Sequence, residues 1–126
     1  MVKQKEHLSP EKLKELVIEG MDQKKAQNIV SINFKNITNA ITDYFVICHG
    51  TSTTQVEAIA DNVYNFLRKK GVKPWHTEGR QNAEWILLDY IDIVVHVFLD
   101  TSRDFYSIEK LWADAEQHRH THNIKK

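Results

Sequence analysis

Residues Tyr44-Phe45-Val46-Ile47-Cys48 are apolar at every position, and Gly50-Thr51-Ser52-Thr53-Thr54-Gln55 follows almost at once. An unbroken apolar run of this length suits a strand buried on both faces, which places it at the centre of a sheet. Gly50 turns the chain, and Ser52-x-x-Gln55 has the spacing of a capping box, in which a hydroxyl and an amide satisfy the first free N–H groups of a helix. Beyond it Val56, Ile59, Ala60, Val63, Phe66 and Leu67 recur at steps of three and four, so the spacing predicts a helix over 52–70 with one apolar face. Lys69-Lys70-Gly71 and then Pro74 close it. A central strand running into an amphipathic helix predicts an α/β domain.

Upstream, Ser9-Pro10-Glu11 reads as a helix start, with Ser9 as N-cap and Pro10 at the first helical position. Leu13, Leu16, Val17 and Met21 form its stripe, and Gly20 is expected to weaken its end. Asn28 to Asn33 reads as a short strand, and Asn36 to Thr42 as a polar connection. Downstream, a strand is expected over Trp75 to Glu78, followed by the loop Gly79 to Ala83. Two more strands, Trp85 to Tyr90 and Ile91 to Leu99, are joined by a tight turn. Side-chain alternation puts Trp85, Leu87 and Asp89 on one face, with Ile86, Leu88 and Tyr90 on the other. Thr101 to Asp104 offers helix caps, and Phe105, Ile108, Leu111, Trp112 and Ala115 supply the apolar contacts of a last helix. These elements make one mixed sheet of about five strands with helices packed on it. A parallel pairing of 44–48 with 75–78 would make helix 52–70 their crossover. Residues 1–117 form the domain, and 118–126 read as a polar tail that frays.

The 126 residues are 41% apolar and 27% charged, enough for a core without disulfides or a structural metal. The lone Cys48 points to a reducing compartment. Lys plus Arg and Asp plus Glu each total 17, so no bulk positive field favours nucleic acid, and no direct nucleic-acid readout is expected. No apolar stretch reaches the ~20 residues of a membrane span, and the opening MVKQKEHLSP lacks a signal-peptide apolar region. A cytoplasmic protein without membrane attachment is expected.

Candidate chemical sites are thin. Gly50-Thr51-Ser52 has one glycine and no lysine, which is neither a Walker loop nor a dinucleotide fingerprint. Glu57 and Asp61 lie one helical turn apart on a face expected to be solvated, a poor magnesium site. Asp89 and Asp92 flank a turn, where carboxylates commonly hold backbone N–H groups. His118, His120 and His122 lack a metal-binding pattern, and His96 reads as a core histidine with a hydrogen-bond partner. Trp112 reads as core. Trp75 and Trp85 are open between burial and exposure, Trp85 being the better surface candidate because a charged loop precedes it. No catalytic residue, metal or cofactor is assigned.

Taken together, Ile41-Thr42-Asp43-Tyr44-Phe45-Val46-Ile47 with Gly50-Thr51-Ser52, Glu78-Gly79, Glu84-Trp85-Ile86-Leu87-Leu88-Asp89-Tyr90, Asp92-Ile93-Val94-Val95-His96-Val97-Phe98 and Phe105-Tyr106-Ser107-Ile108-Glu109-Lys110-Leu111-Trp112 resemble the ribosomal silencing factor family, also called Iojap or RsfS. The likeness is collinear over roughly residues 10 to 115. It implies a nucleotidyltransferase-like fold and a translation repressor that is not an enzyme. The implied partner is the large ribosomal subunit, bound through its protein fourteen so that the small subunit cannot join when nutrients are scarce. The implied contact patch is Glu78, Trp85, Leu87, Asp89 and Tyr90, with Trp85 and Leu87 as apolar contacts and the two acids facing basic side chains. The sequence departs from the family at Ile91, where a glycine is common; a β-branched residue resists the positive φ that such a turn glycine serves. Competing readings are a nucleotidyltransferase-like nucleotide-binding enzyme and a homodimer formed through the hairpin face.

Overall fold

The computed structural model describes residues 8–121. Helix α1 (Pro10–Asp22) begins at Ser9, whose hydroxyl accepts the Lys12 N–H at 3.1 Å. Strand β1 (Gln27–Asn33) leads to β2 (Tyr44–Gly50) and helix α2 (Thr53–Arg68). Then come β3 (His76–Glu78), β4 (Trp85–Asp89), β5 (Ile93–Leu99), the short helices α3 (Asp100–Tyr106) and α4 (Ile108–Leu111), and β6 (Glu116–His120). The six strands form one sheet in the order β3-β4-β5-β2-β1-β6, a mixed α/β architecture as the sequence predicts.

The apolar run 44–48 is central, flanked by β5 and β1. Its parallel partner is β5, not residues 75–78: Tyr44 faces Ile93 and Gly50 faces Leu99. The crossover between the parallel strands therefore contains α2, β3 and β4. Strands β3, β4 and β5 meander antiparallel. Pairing with 93–99 lays seven residues of β2 beside seven of β5, a longer ladder than three-residue β3 could offer.

Helices α1 and α2 cover one face of the sheet. Val17 and Met21 of α1, and Val56, Ile59, Ala60, Val63 and Leu67 of α2, meet Val46 and Cys48, Val95 and Val97, and Ile86 and Leu88 in one buried cluster. Gly20 does more than weaken a helix end: a Cβ there would meet the Val63 backbone at 3.3 Å, so its absence lets α1 approach α2 closely. On the opposite face a smaller cluster joins Val30, Ile32, Phe34, Ile47 and Phe98 to Ile108 and Ala115.

The C-terminal part departs from expectation. The last helix is broken at Ser107, which adopts a left-handed conformation with φ 48°. Only Ile108 and Ala115 of its expected apolar contacts are buried; Phe105, Leu111 and Trp112 are exposed. Residues 118–120 are not frayed: they belong to β6, which pairs antiparallel with β1, His118 facing Ser31. The Ser31 hydroxyl and His120 Nε2 lie 2.8 Å apart, and the Gln117 amide donates to the carbonyls of Glu109 and Trp112. Edge pairing of this kind is made by backbone groups, so a polar sequence can enter it without apolar alternation. His122 lies outside the described residues.

Candidate functional site

The sheet face opposite α1 and α2 is only partly covered, and alternation decides what it shows. Register aligns Glu78 with Leu87 and His76 with Asp89, then Trp85 with Phe98, Leu87 with His96 and Asp89 with Val94, then Phe45 with Val94 and Ile47 with His96. Aligned residues share a face. Glu78, Trp85, Leu87 and Asp89 therefore stand on one surface, and it continues across Val94 to Phe45.

Trp85 is half-buried and fixed in place. Its indole N–H donates to Nδ1 of His96 at 3.0 Å, its ring stacks on Phe98 at 4.7 Å, and Tyr106 lies 4.9 Å away. Indole is a donor only, so His96 Nδ1 accepts and the proton of the neutral ring sits on Nε2. His96 is 4% exposed, and burial pushes its pKa down to about 3. It is the core histidine with a partner that the sequence suggests, and that partner is Trp85.

Leu87 and Asp89 are half-buried and Glu78 is exposed. The Glu78 carboxylate meets His76 Nε2 at 2.7 Å. Asp89 holds the turn, its carboxylate accepting the Ile91 N–H at 2.8 Å. Tyr90 does not join this surface: it is 7% exposed and packs in the helix-side cluster. Its phenol, which has no hydrogen-bond partner among the described residues, is pushed well above the usual tyrosine range, chiefly by burial. Assigning Tyr90 to a contact patch is therefore corrected, because alternation turns it inward beneath α2.

The turn that presents Asp89 keeps a glycine-like shape without a glycine. Ile91 has φ 75°, and the Asp92 N–H donates to the Tyr90 carbonyl at 2.9 Å. A bond from i to i+2 across a central residue of positive φ is the strained form of γ-turn. On the other flank Gly79, at φ 87°, is indispensable: a Cβ there would lie 1.9 Å from the Trp85 carbonyl oxygen.

The structure adds residues that sequence reasoning assigned elsewhere. Phe34, Ile41, Thr42, Phe45, Val94 and Trp112 line an apolar groove of about 260 Å³, and Ile41 is 94% exposed. Trp112 packs edge-on against Phe34 at 5.0 Å and Phe45 at 6.3 Å, so it forms a groove wall and is not core. Ile41 sits in a connection read as polar; its apolar side chain there was the available signal.

The enzyme-like turn is occupied by its own cap. Ser52 Oγ accepts the Gln55 N–H at 3.1 Å, while Gln55 Oε1 accepts the Thr51 N–H at 2.8 Å. Asp61 is bound to Arg80 at 2.6 Å. At the C-terminal ends of the parallel strands, Arg103 is 5% exposed and fully engaged. It makes a two-pronged pair with Glu109 at 3.1 and 2.7 Å and donates to the Asn28 carbonyl at 2.7 Å. Its guanidinium also lies 3.0 Å from His49 Nδ1. Burial first, and the Arg103 charge second, hold His49 below the usual histidine range. Cys48 is buried, and burial pushes its thiol up to about 12, which makes it a packing residue.

The chain and its fold have relatives of known structure and name. Residues 7–126 match the family described as ribosomal silencing factor during starvation. The chain is 42% identical over 108 residues to the ribosomal silencing factor RsfS of Halalkalibacterium halodurans, covering 86% of this chain and 92% of that one. It is 35% identical over 74 residues to mouse mitochondrial assembly of ribosomal large subunit protein 1, spanning 32% of that longer protein. A crystal structure of a Chromobacterium violaceum protein superposes with a TM-score of 0.81 at 30% identity, covering 94% of this chain and 95% of that one. The chain belongs to the ribosomal silencing factor family.

Proposed function

We propose that this protein represses translation by binding the large ribosomal subunit through that subunit's protein fourteen, obstructing the small subunit when nutrients are scarce. The reading rests on family membership and on one observation: the β3-β4-β5-β2 face is only partly covered, leaving the half-buried Trp85, Leu87 and Phe45 with an acidic margin at Glu78 and Asp89. Trp85 and Leu87 provide apolar contact, Phe45, Val94 and Trp112 extend it, and Glu78 and Asp89 stand where basic side chains of a partner would be met. An apolar centre rimmed by charge is the usual anatomy of a protein-binding patch. Trp85 also needs little ordering on binding, because His96 and Phe98 already hold its ring.

Action is by bulk, without catalysis. The N–H groups that would cradle a phosphate at Thr51 and Gln55 are taken by the capping residues, and Asp61 is held by Arg80. These engagements favour a binding protein over a nucleotidyltransferase-like enzyme.

Sedimentation tests the proposal. Purified protein should move joined ribosomes toward free subunits and travel with the large one; travelling with neither refutes it. Trp85→Ala is expected to weaken binding by about 2 kcal/mol, roughly thirtyfold. A folded variant of unchanged affinity removes Trp85 from the interface. Light scattering at several concentrations shows whether a second copy covers the same face, which would make homodimer formation compete with the ribosome.

A further inference from the structure

From Asn62 to Thr77 the chain contains no acidic residue, while Arg68, Lys69, Lys70 and Lys73 fall within six positions. A neutral protein thus carries a local positive patch. All four side chains are exposed, and none has an acidic partner within 4.0 Å among the described residues. Arg68 ends α2 and Lys69 caps it, so part of the charge complements the negative end of the helix dipole. Lys73 lies beyond that end. Gly71, at φ 85°, folds the chain back, and Arg68, Lys69, Gly71 and Lys73 rim an open hollow of about 490 Å³. Lys73 also borders a second hollow of about 570 Å³, whose wall includes Tyr64, Trp75 and Arg80.

Trp75 is the second observation. It is 72% exposed, yet its backbone is anchored, the N–H donating to the Asp89 carbonyl at 2.7 Å. Among the described residues its one ring neighbour is His76, tilted at 5.8 Å. A rigidly based, uncovered indole that shares a hollow with Lys73, close in the chain to further cations without acidic partners, matches what single-stranded nucleic acid requires: a flat surface on which a base stacks, and positive charge along the phosphates.

We propose that Arg68, Lys69, Lys70, Lys73 and Trp75 form a contact for single-stranded RNA, phosphates lying on the basic residues and one exposed base stacking on Trp75. The contact reads no sequence, since stacking and phosphate pairing are tolerant of base identity. It rests on the reading that the chain sits on the large ribosomal subunit, a particle rich in RNA, and it gives the protein a second foothold. Trp75 immediately precedes β3, whose partner β4 carries Trp85; one short stretch of sheet edge thus connects the two surfaces.

The test uses the full chain and a fluorescein-labelled twelve-nucleotide oligouridylate, read by anisotropy. Binding is expected at 50 mM salt and to weaken roughly twentyfold by 200 mM if three phosphates are neutralised. Trp75→Ala should weaken it about tenfold. The triple change Lys69→Glu, Lys70→Glu, Lys73→Glu should abolish it, with circular dichroism confirming the fold. No binding at 50 mM salt, or binding that both variants retain, overturns the proposal; so does equal affinity for polyglutamate or for phosphatidylserine vesicles. Sedimentation with large subunits separates this contact from the proposed function. If the wild type fails to sediment with them, the ribosomal reading and the second foothold fall together, whatever the oligonucleotide result. If it sediments and the triple variant does so with the same salt dependence, only the RNA contact falls.

Discussion

Acid should unlock the ring that anchors the proposed interface, and the size of the effect follows from His96. The imidazole is 4% exposed, with Phe45 at 4.4 Å and Phe98 at 6.2 Å. It accepts the Trp85 N–H at 3.0 Å. Protonation would bury a charge among aromatic rings and set a second N–H against that of Trp85. Its folded-state pKa of about 3 lies below the ordinary 6.5, so the folded protein binds fewer protons than the unfolded chain in between. Stability from this group is therefore constant above about pH 6.5 and falls as pH drops toward 3. Each pH unit is worth about 1.4 kcal/mol, which makes the loss roughly 3 kcal/mol at pH 4.5 and roughly 5 kcal/mol in full. The comparison variant is His96→Phe, which cannot titrate but leaves the half-buried Trp85 N–H without its acceptor, at a cost of about 1 kcal/mol. Urea unfolding should rank the wild type above the variant at pH 7.5 and below it, by about 2 kcal/mol, at pH 4.5. Other titrating groups are common to both proteins and cancel. Parallel pH profiles would refute the reasoning.

Three further outcomes follow from the turns and the buried arginine. Ile91→Gly should stabilise the protein by about 1 kcal/mol, because relief of a β-branched residue at positive φ exceeds glycine's added chain entropy; an unchanged or lower thermal midpoint counts against a strained turn. Gly79→Ala should destabilise by about 2 kcal/mol or more through positive φ combined with the clash at the Trp85 carbonyl, and chemical denaturation giving wild-type stability would disprove that close approach. Arg103→Ala should cost about 3 kcal/mol or more, since it strands Glu109 and the Asn28 carbonyl. Hydrogen exchange should then show α3 and α4 loosened ahead of the rest, and uniform protection would argue that Arg103 does not hold them.

Much of the α/β architecture was legible because its signals are local. The run 44–48 could only be central, the stripe from Val56 to Leu67 could only be a helix face, and Ser9 and Ser52 cap the helices they precede. Local pattern says nothing about which strand lies beside which, however, and the parallel partner of β2 proved to be β5. Strand β6 escaped notice because backbone pairing and polar side-chain bonds recruit it, with no apolar alternation to mark it.

The candidate site divides the same way. Alternation along residues 85–90 placed Trp85, Leu87 and Asp89 together and Tyr90 apart, and the structure keeps that division, with Tyr90 beneath α2. A hairpin's faces follow from its own residues, because the side-chain period of a strand is intrinsic. Whether a face is covered depends on distant segments. The break at Ser107 leaves Trp112 on a groove wall beside Ile41 and Phe45, residues brought together only by folding. Sequence alone determined the elements from α1 to β5 and the two-sidedness of the hairpin; tertiary structure decided their neighbours, the broken last helix, the added edge strand β6 and which side remains open, because burial and edge pairing depend on every segment of the chain that could cover a surface.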